Sequence, residues 1–140
     1  MAQPGQEIAA PNGFRLRIES LDDEVLEMEA TYPGDGAFPP EHLHPSQAER
    51  FEVLEGSVRA IIAGSEHSFE AGETFEVPAG TPHQMAAETP ARLSWQVRPP
   101  LRTAEFFERL YGEGPDRARG APSIAEFFAE FSDEIRLTNR

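Results

Sequence analysis

The chain has 140 residues, 39% of them hydrophobic and 26% charged, which suits one globular domain and is too short for two. With 25 acidic against 12 basic side chains the formal charge is −13, which speaks against nucleic acid and anionic lipid, since both need a basic surface. No apolar run nears the ~20 residues of a membrane span, residues 1–10 lack the basic start and apolar stretch of a signal peptide, and the absence of Cys excludes disulfides and thiolate ligands. A cytoplasmic location fits these features.

Before Pro99-Pro100, short strand-like runs alternate with Gly, Pro and Asn turn signals, the pattern of an all-β unit. Asn12-Gly13 predicts a hairpin that pairs residues 8–11 with 14–19. Residues 25–31 read as a strand, stopped by Pro33-Gly34-Asp35-Gly36. Phe51 and Val53 alternate into the Glu55-Gly56-Ser57 turn, and residues 58–63 form the returning arm. Residues 67–70, 74–77, 83–87 and 91–98 complete the set, separated by Ala71-Gly72, Pro78-Ala79-Gly80 and Glu88-Thr89-Pro90. Leu93, Trp95 and Val97 alternate and should face a core.

Beyond Pro100 the pattern turns helical. Thr103 can cap a helix over residues 104–111, with Gly112 as its stop. Residues 114–122 read as a polar linker. Ser123 can cap a second helix over residues 124–135, with Phe127, Phe128 and Phe131 near one face. The expected organisation is a β unit over residues 1–100 and a helical extension over 101–140, docked on its outside or on a partner subunit.

The chemistry-bearing residues concentrate in two short stretches. His42-Leu43-His44 would place two imidazoles on one side of a strand, because side chains two apart share a face. Glu49 follows at the start of the next strand. The turn Pro78-Ala79-Gly80-Thr81-Pro82 then aims His83 at a fresh strand. Three imidazoles and one carboxylate suit one divalent transition metal among Fe, Mn, Ni, Cu and Zn. Four protein ligands leave open positions on a metal that prefers five or six, which is what a catalytic site needs. His67 lies outside both stretches and reads as an ordinary strand residue.

These residues resemble the cupin superfamily. Gly36, five residues, His42-x-His44, four residues, Glu49, six residues and Gly56 match its first motif at every fixed position. Gly72, five residues, Pro78-x-Gly80, two residues and His83 match the second. The closing Asn of that second motif falls at Ala87, a departure at a structural strand position. The resemblance covers about residues 8–100. It implies an antiparallel jelly-roll barrel of six to eight strands, with His42, His44, Glu49 and His83 holding a metal in the lumen, and a homodimer. The three-His, one-Glu set looks like the quercetinase-like branch more than the two-His, one-carboxylate oxygenases.

Alternation extends this to the pocket wall. If His83 and Glu49 point inward, so do Met85, Ala87, Phe51 and Val53, and Phe38 and Trp95 join them, while Gln84 and Gln96 point outward. Such a lumen favours a small aromatic or hydrophobic ligand, with Glu49 as the proton acceptor at the metal. The same residues could equally be barrel core. Three functions stay open: dioxygenase-type oxidation of a small organic substrate, a non-redox metal-dependent isomerase or cyclase, and a non-catalytic small-ligand binder.

Overall fold

A computed structural model describes residues 3–111 and 124–138 of the chain. The first hairpin forms where Asn12-Gly13 places it. The Asn12 side-chain carbonyl accepts from the Phe14 amide, Gly13 takes a φ of 100°, and β1 (Glu7–Ala9) pairs antiparallel with β2 (Arg15–Leu21). β3 (Leu26–Tyr32), β4 (His42–Leu43), β5 (Ala48–Glu55), β6 (Ser57–Ile62), β7 (Ser65–Glu70), β8 (Thr74–Val77), β9 (His83–Ala86) and β10 (Ala91–Arg98) follow. Each strand of the expected set is present.

The strands form two antiparallel sheets, ordered β1-β2-β3-β10-β5-β8 and β11-β4-β9-β6-β7, the jelly-roll arrangement. β11 (Arg136–Leu137) is the last of eleven strands among the described residues, more than the six to eight expected. The excess comes from short additions, since β4 and β11 have two residues each and β1 has three. One face of β2, β3, β5, β6 and β10 is apolar and buried: Leu16 and Ile18, Leu26 and Met28, Phe51 and Val53, Val58 and Ala60, Leu93 and Trp95. Phe51 stands opposite Trp95 on one side and Phe75 on the other, with ring centroids 5.5 and 4.9 Å away. The outer face of the larger sheet carries a charge ladder in which Arg17 and Arg92 share Glu29 and Arg92 also reaches Glu55. Exposed pairs of this kind add little stability, so the inner apolar face specifies the fold.

The C-terminal segment departs from expectation. α1 (Thr103–Tyr111) is present, but Thr103 is its first residue and its hydroxyl accepts from Gln47 Nε2 at 2.7 Å. A carboxylate oxygen of Glu134 meets the Arg102 amide at 3.2 Å and so serves the helix start. α2 spans Ile124–Glu130 and stops five residues earlier than the helix predicted to reach Ile135. Residues 131–134 tighten into turns whose amides bond three residues back, as in Ser132 to Ala129 and Glu134 to Phe131. Arg136 and Leu137 then pair with Leu43 and His42. Ser132 and Asp133 are weak helix formers, and a strand partner at β4 outcompetes another helical turn. The predicted stop at Gly112, the linker and the Ser123 cap lie outside the described residues.

Phe106, Phe127, Phe131 and Ile135 form a second buried cluster beside the main core. Phe131 is fully buried, and Arg102 lies over its ring at 4.4 Å.

Gly56, in the β5–β6 turn, holds a φ of 75°, and a Cβ built there would lie 2.6 Å from the Pro90 carbonyl oxygen. Gly56→Ala should therefore cost about 2 kcal/mol or more, from strain and backbone collision together. Urea unfolding checks this; a midpoint equal to that of the parent chain would contradict it.

Candidate metal centre and its cavity

β4 and β9 are neighbours, and His42 stands directly opposite His83, with ring centroids 4.4 Å apart. His44 follows β4, two positions on from His42, and its ring centroid lies 5.1 Å from that of His42 and 5.2 Å from that of His83. The Gly80 amide donates to the His44 carbonyl, which ties the Pro78-Ala79-Gly80 turn to the first ligand stretch. Each imidazole offers one ring nitrogen to the cluster, and these three atoms lie within 4.8 Å of one another.

All three Nδ1 atoms face main-chain carbonyls. His42 Nδ1 meets Pro40 O at 3.1 Å, His44 Nδ1 meets Glu134 O at 2.7 Å, and His83 Nδ1 meets Thr81 O at 2.9 Å. A carbonyl only accepts, so each Nδ1 must carry the hydrogen, and the neutral form of each ring would present its Nε2 lone pair. This outer support is what orients histidines for a metal.

Glu49 comes from β5, on the opposite sheet, and is almost wholly buried. Its Oε1 lies 3.2 Å from His44 Nε2 and 3.0 Å from His83 Nε2, while Oε2 accepts from the Trp95 indole nitrogen at 2.8 Å. His44 Nε2 and Glu49 Oε1 are buried without a hydrogen-bond partner. Ring nitrogens and a carboxylate oxygen thus converge, and a shared cation, either a proton on His44 or a metal ion, would satisfy them.

The titration behaviour follows from this geometry. Burial, reinforced by His83, lowers the pKa of His42 to about 4, so its ring stays neutral. Burial also opposes charge on His44, but the Glu49 carboxylate beside it outweighs that and moves its pKa upward. Burial alone would raise the Glu49 pKa, yet His44 and His83 hold it far below the usual carboxylate range. Among the described residues, the cluster of His42, His44 and His83 could hold a metal ion, and imidazole donors suit a divalent transition metal.

Beside the cluster lies a cavity of about 510 Å³. The expected wall residues Phe38, Phe51, Met85 and Trp95 line it, as does Ala87. Val53 does not. It is fully buried opposite Leu93, two residues beyond Phe51 and roughly 7 Å further along the strand, in the packed part of the barrel. Gln84 and Gln96 bond outward to Pro39 O and Glu27. His67 lies exposed on β7, outside the cluster.

Sequence reasoning missed the rest of the wall. Phe14 and Tyr32 close one side, their rings 5.2 Å apart, and Phe107, Leu110, Tyr111, Phe128, Ile135 and Leu137 supply the C-terminal contribution. The helices therefore line the cavity instead of only docking outside the barrel. Their apolar faces were visible in the sequence, but the surface they would meet was not. Gln47 was also missed. Its buried amide joins the Pro99 and Pro100 carbonyls and Thr103, anchoring α1 beside Glu49.

A family model for the cupin domain matches residues 16–97, which hold both ligand stretches. The chain belongs to the cupin family. Solved cupin-like structures share its fold at low identity. An RmlC-like cupin from Shewanella frigidimarina is 18% identical with a TM-score of 0.65, over 74% of this chain and 92% of that one. KdgF from Halomonas sp. is 19% identical with a TM-score of 0.59, over 64% and 82%. TT1209 from Thermus thermophilus is 23% identical with a TM-score of 0.58, over 64% and 86%. No curated protein matches the sequence. At the one position where this cupin departs from the family motif, the Ala87 carbonyl accepts from the Gly36 amide and the residue lines the cavity.

Because Glu134 O braces His44, the packing that holds residues 131–138 should matter to metal affinity. Phe131→Ala, which removes no cavity wall, should weaken metal binding about tenfold, in the range seen for lost outer support. It should also cost about 3 kcal/mol or more of stability. Isothermal titration of the stripped protein with Zn(II) reads the first effect; unchanged affinity in a destabilised variant would refute the coupling.

Proposed function

We propose that this cupin is a metal-dependent enzyme that holds one divalent transition metal on His42, His44, His83 and Glu49. Its best single reaction class is dioxygenase-type oxidation of a small organic substrate. The observation that carries the reading is the convergence of three carbonyl-braced imidazoles and one buried carboxylate oxygen beside a largely apolar cavity.

A bound metal would supply Lewis acidity and, if redox-active, the one-electron chemistry that reaction with O₂ needs. The chain's own residues do the remainder. His42 stays neutral and available, and Trp95 fixes Glu49 through Oε2, leaving Oε1 directed at His44 and His83. The apolar walls exclude water and hold the substrate in place. The depressed pKa makes Glu49 a better ligand than a resting base, so it takes a substrate proton only when it swings away from the imidazoles. That free oxygen also favours a second reading, a non-redox isomerase or cyclase in which Glu49 shuttles a proton.

His42→Ala and His83→Ala should lose most of the metal that the parent retains after desalting, whereas His67→Ala keeps it. Elemental analysis of the purified chains gives the answer, and equal contents in all three would overturn the ligand assignment. Trp95→Phe removes the donor to Glu49 and should weaken metal binding about tenfold; full affinity there would remove Glu49 from the set. Oxygen uptake by the Fe- or Mn-loaded chain on a panel of phenols and enolisable ketones separates the two reactions. Turnover that persists without O₂ and with Zn(II) would favour the isomerase.

A further inference from the structure

The cavity has an unusual charge balance. Its described lining includes three carboxylate residues, Asp35, Glu49 and Glu134, but no cationic side chain other than the histidines of the cluster. The sequence contains no Lys at all, so every permanent cation is an Arg. Among the described residues, the arginines beside the aromatic walls are committed elsewhere. Arg102 and Arg109 bind Glu130 on the outside of the helical cluster, and Arg59, stacked behind Phe38, bonds Glu88. Among the described residues, a phosphate or carboxylate placed away from the His and Glu cluster would find no cationic partner and would lose its hydration for nothing in return.

The walls point the same way. Aromatic rings reach the cavity from three parts of the chain: Phe14 and Tyr32 near the N-terminal hairpin, Phe51 and Trp95 from the barrel, Phe107 and Phe128 from the helices. Apolar side chains outnumber hydrogen-bonding ones in the lining, so a polyhydroxylated ring would leave hydroxyls unmatched. Beyond the His and Glu cluster, the polar part of the lining is Asn12, Asp35, Thr103, Glu134 and the two tyrosines, a minority beside the apolar walls. Such a metal centre, with one carboxylate ligand, keeps about one positive charge and can accept a single oxyanion.

From this juxtaposition we infer that the cavity takes a compact aromatic or enolic molecule, one or two rings in size, that offers oxygen donors at one end only and carries no phosphate. Sugars and sugar phosphates are excluded as its substrates. The orientation of the ligand, though not its preference for apolar rings, rests on the proposed metal centre.

The test uses the full chain, metal-loaded and metal-stripped, titrated with naphthalene-2,3-diol, glucose 6-phosphate and glucose. Emission from Trp95, the only Trp in the chain, reports binding, because that indole faces the cavity and bonds Glu49. The diol should bind at least about tenfold more tightly than either sugar, since a buried unpaired phosphate costs more than the ~1.4 kcal/mol that tenfold represents. The diol should keep its lead in the stripped chain, where the aromatic walls remain. Leu110→Arg, which puts a cation into the wall, should narrow the gap between diol and sugar phosphate, whereas Leu110→Met should not. Equal or tighter binding of either sugar, or a Leu110→Arg chain that melts normally with an unaltered preference, overturns the inference. Metal content measured before ligand addition separates the two readings. A chain that binds no metal yet prefers the diol sinks only the metal centre, and a loaded chain without that preference sinks only the substrate class.

Discussion

The site depends on three main-chain carbonyls more than on any other interaction. Pro40, Thr81 and Glu134 each take the Nδ1 hydrogen of a histidine, and that choice turns three Nε2 lone pairs toward one point. A free imidazole exchanges its hydrogen between two nitrogens, and a ring in the other tautomer would present a donor where an acceptor is needed. Two of these carbonyls lie two residues before the histidine they hold, so local chain geometry supplies them. The third comes from the far end of the sequence and makes His44 dependent on tertiary structure.

Glu49 reaches the cluster by a different route. It stands on the opposite sheet, and its position follows from the antiparallel register of β5 between β8 and β10, where it faces Val77 and Val97. A one-residue slip of that register would send its carboxylate to the outer face and bring Arg50 inward. The apolar alternation of Phe51 and Val53 on the same strand guards against the slip, because both would become exposed with it. Packing energy spent on the core therefore also fixes the placement of a polar group.

Much of this was legible in the sequence, for identifiable reasons. Turn residues with restricted backbone preferences marked nearly every strand boundary, and the two ligand stretches carried spacings that the barrel converts into proximity. Five of the six predicted wall residues line the cavity; alternation says which way a side chain points but not how deep the space extends, and Val53 fell on the packed side of that limit. What stayed hidden were contacts between distant segments. Arg136 and Leu137 carry no strand signature, and they become a strand only because β4 offers an unpaired edge. The aromatic faces of the C-terminal helices announced that something apolar would cover them, without saying that it would be the mouth of the barrel.

The reach from His44 to Glu134, 90 positions along the chain, also bears on the order in which the molecule is made. A ribosome releases the barrel strands and two of the braced histidines long before it delivers the segment that steadies the remaining one. Newly made barrel would thus pass through an interval in which the histidine cluster is incompletely braced, until the segment around Glu134 arrives.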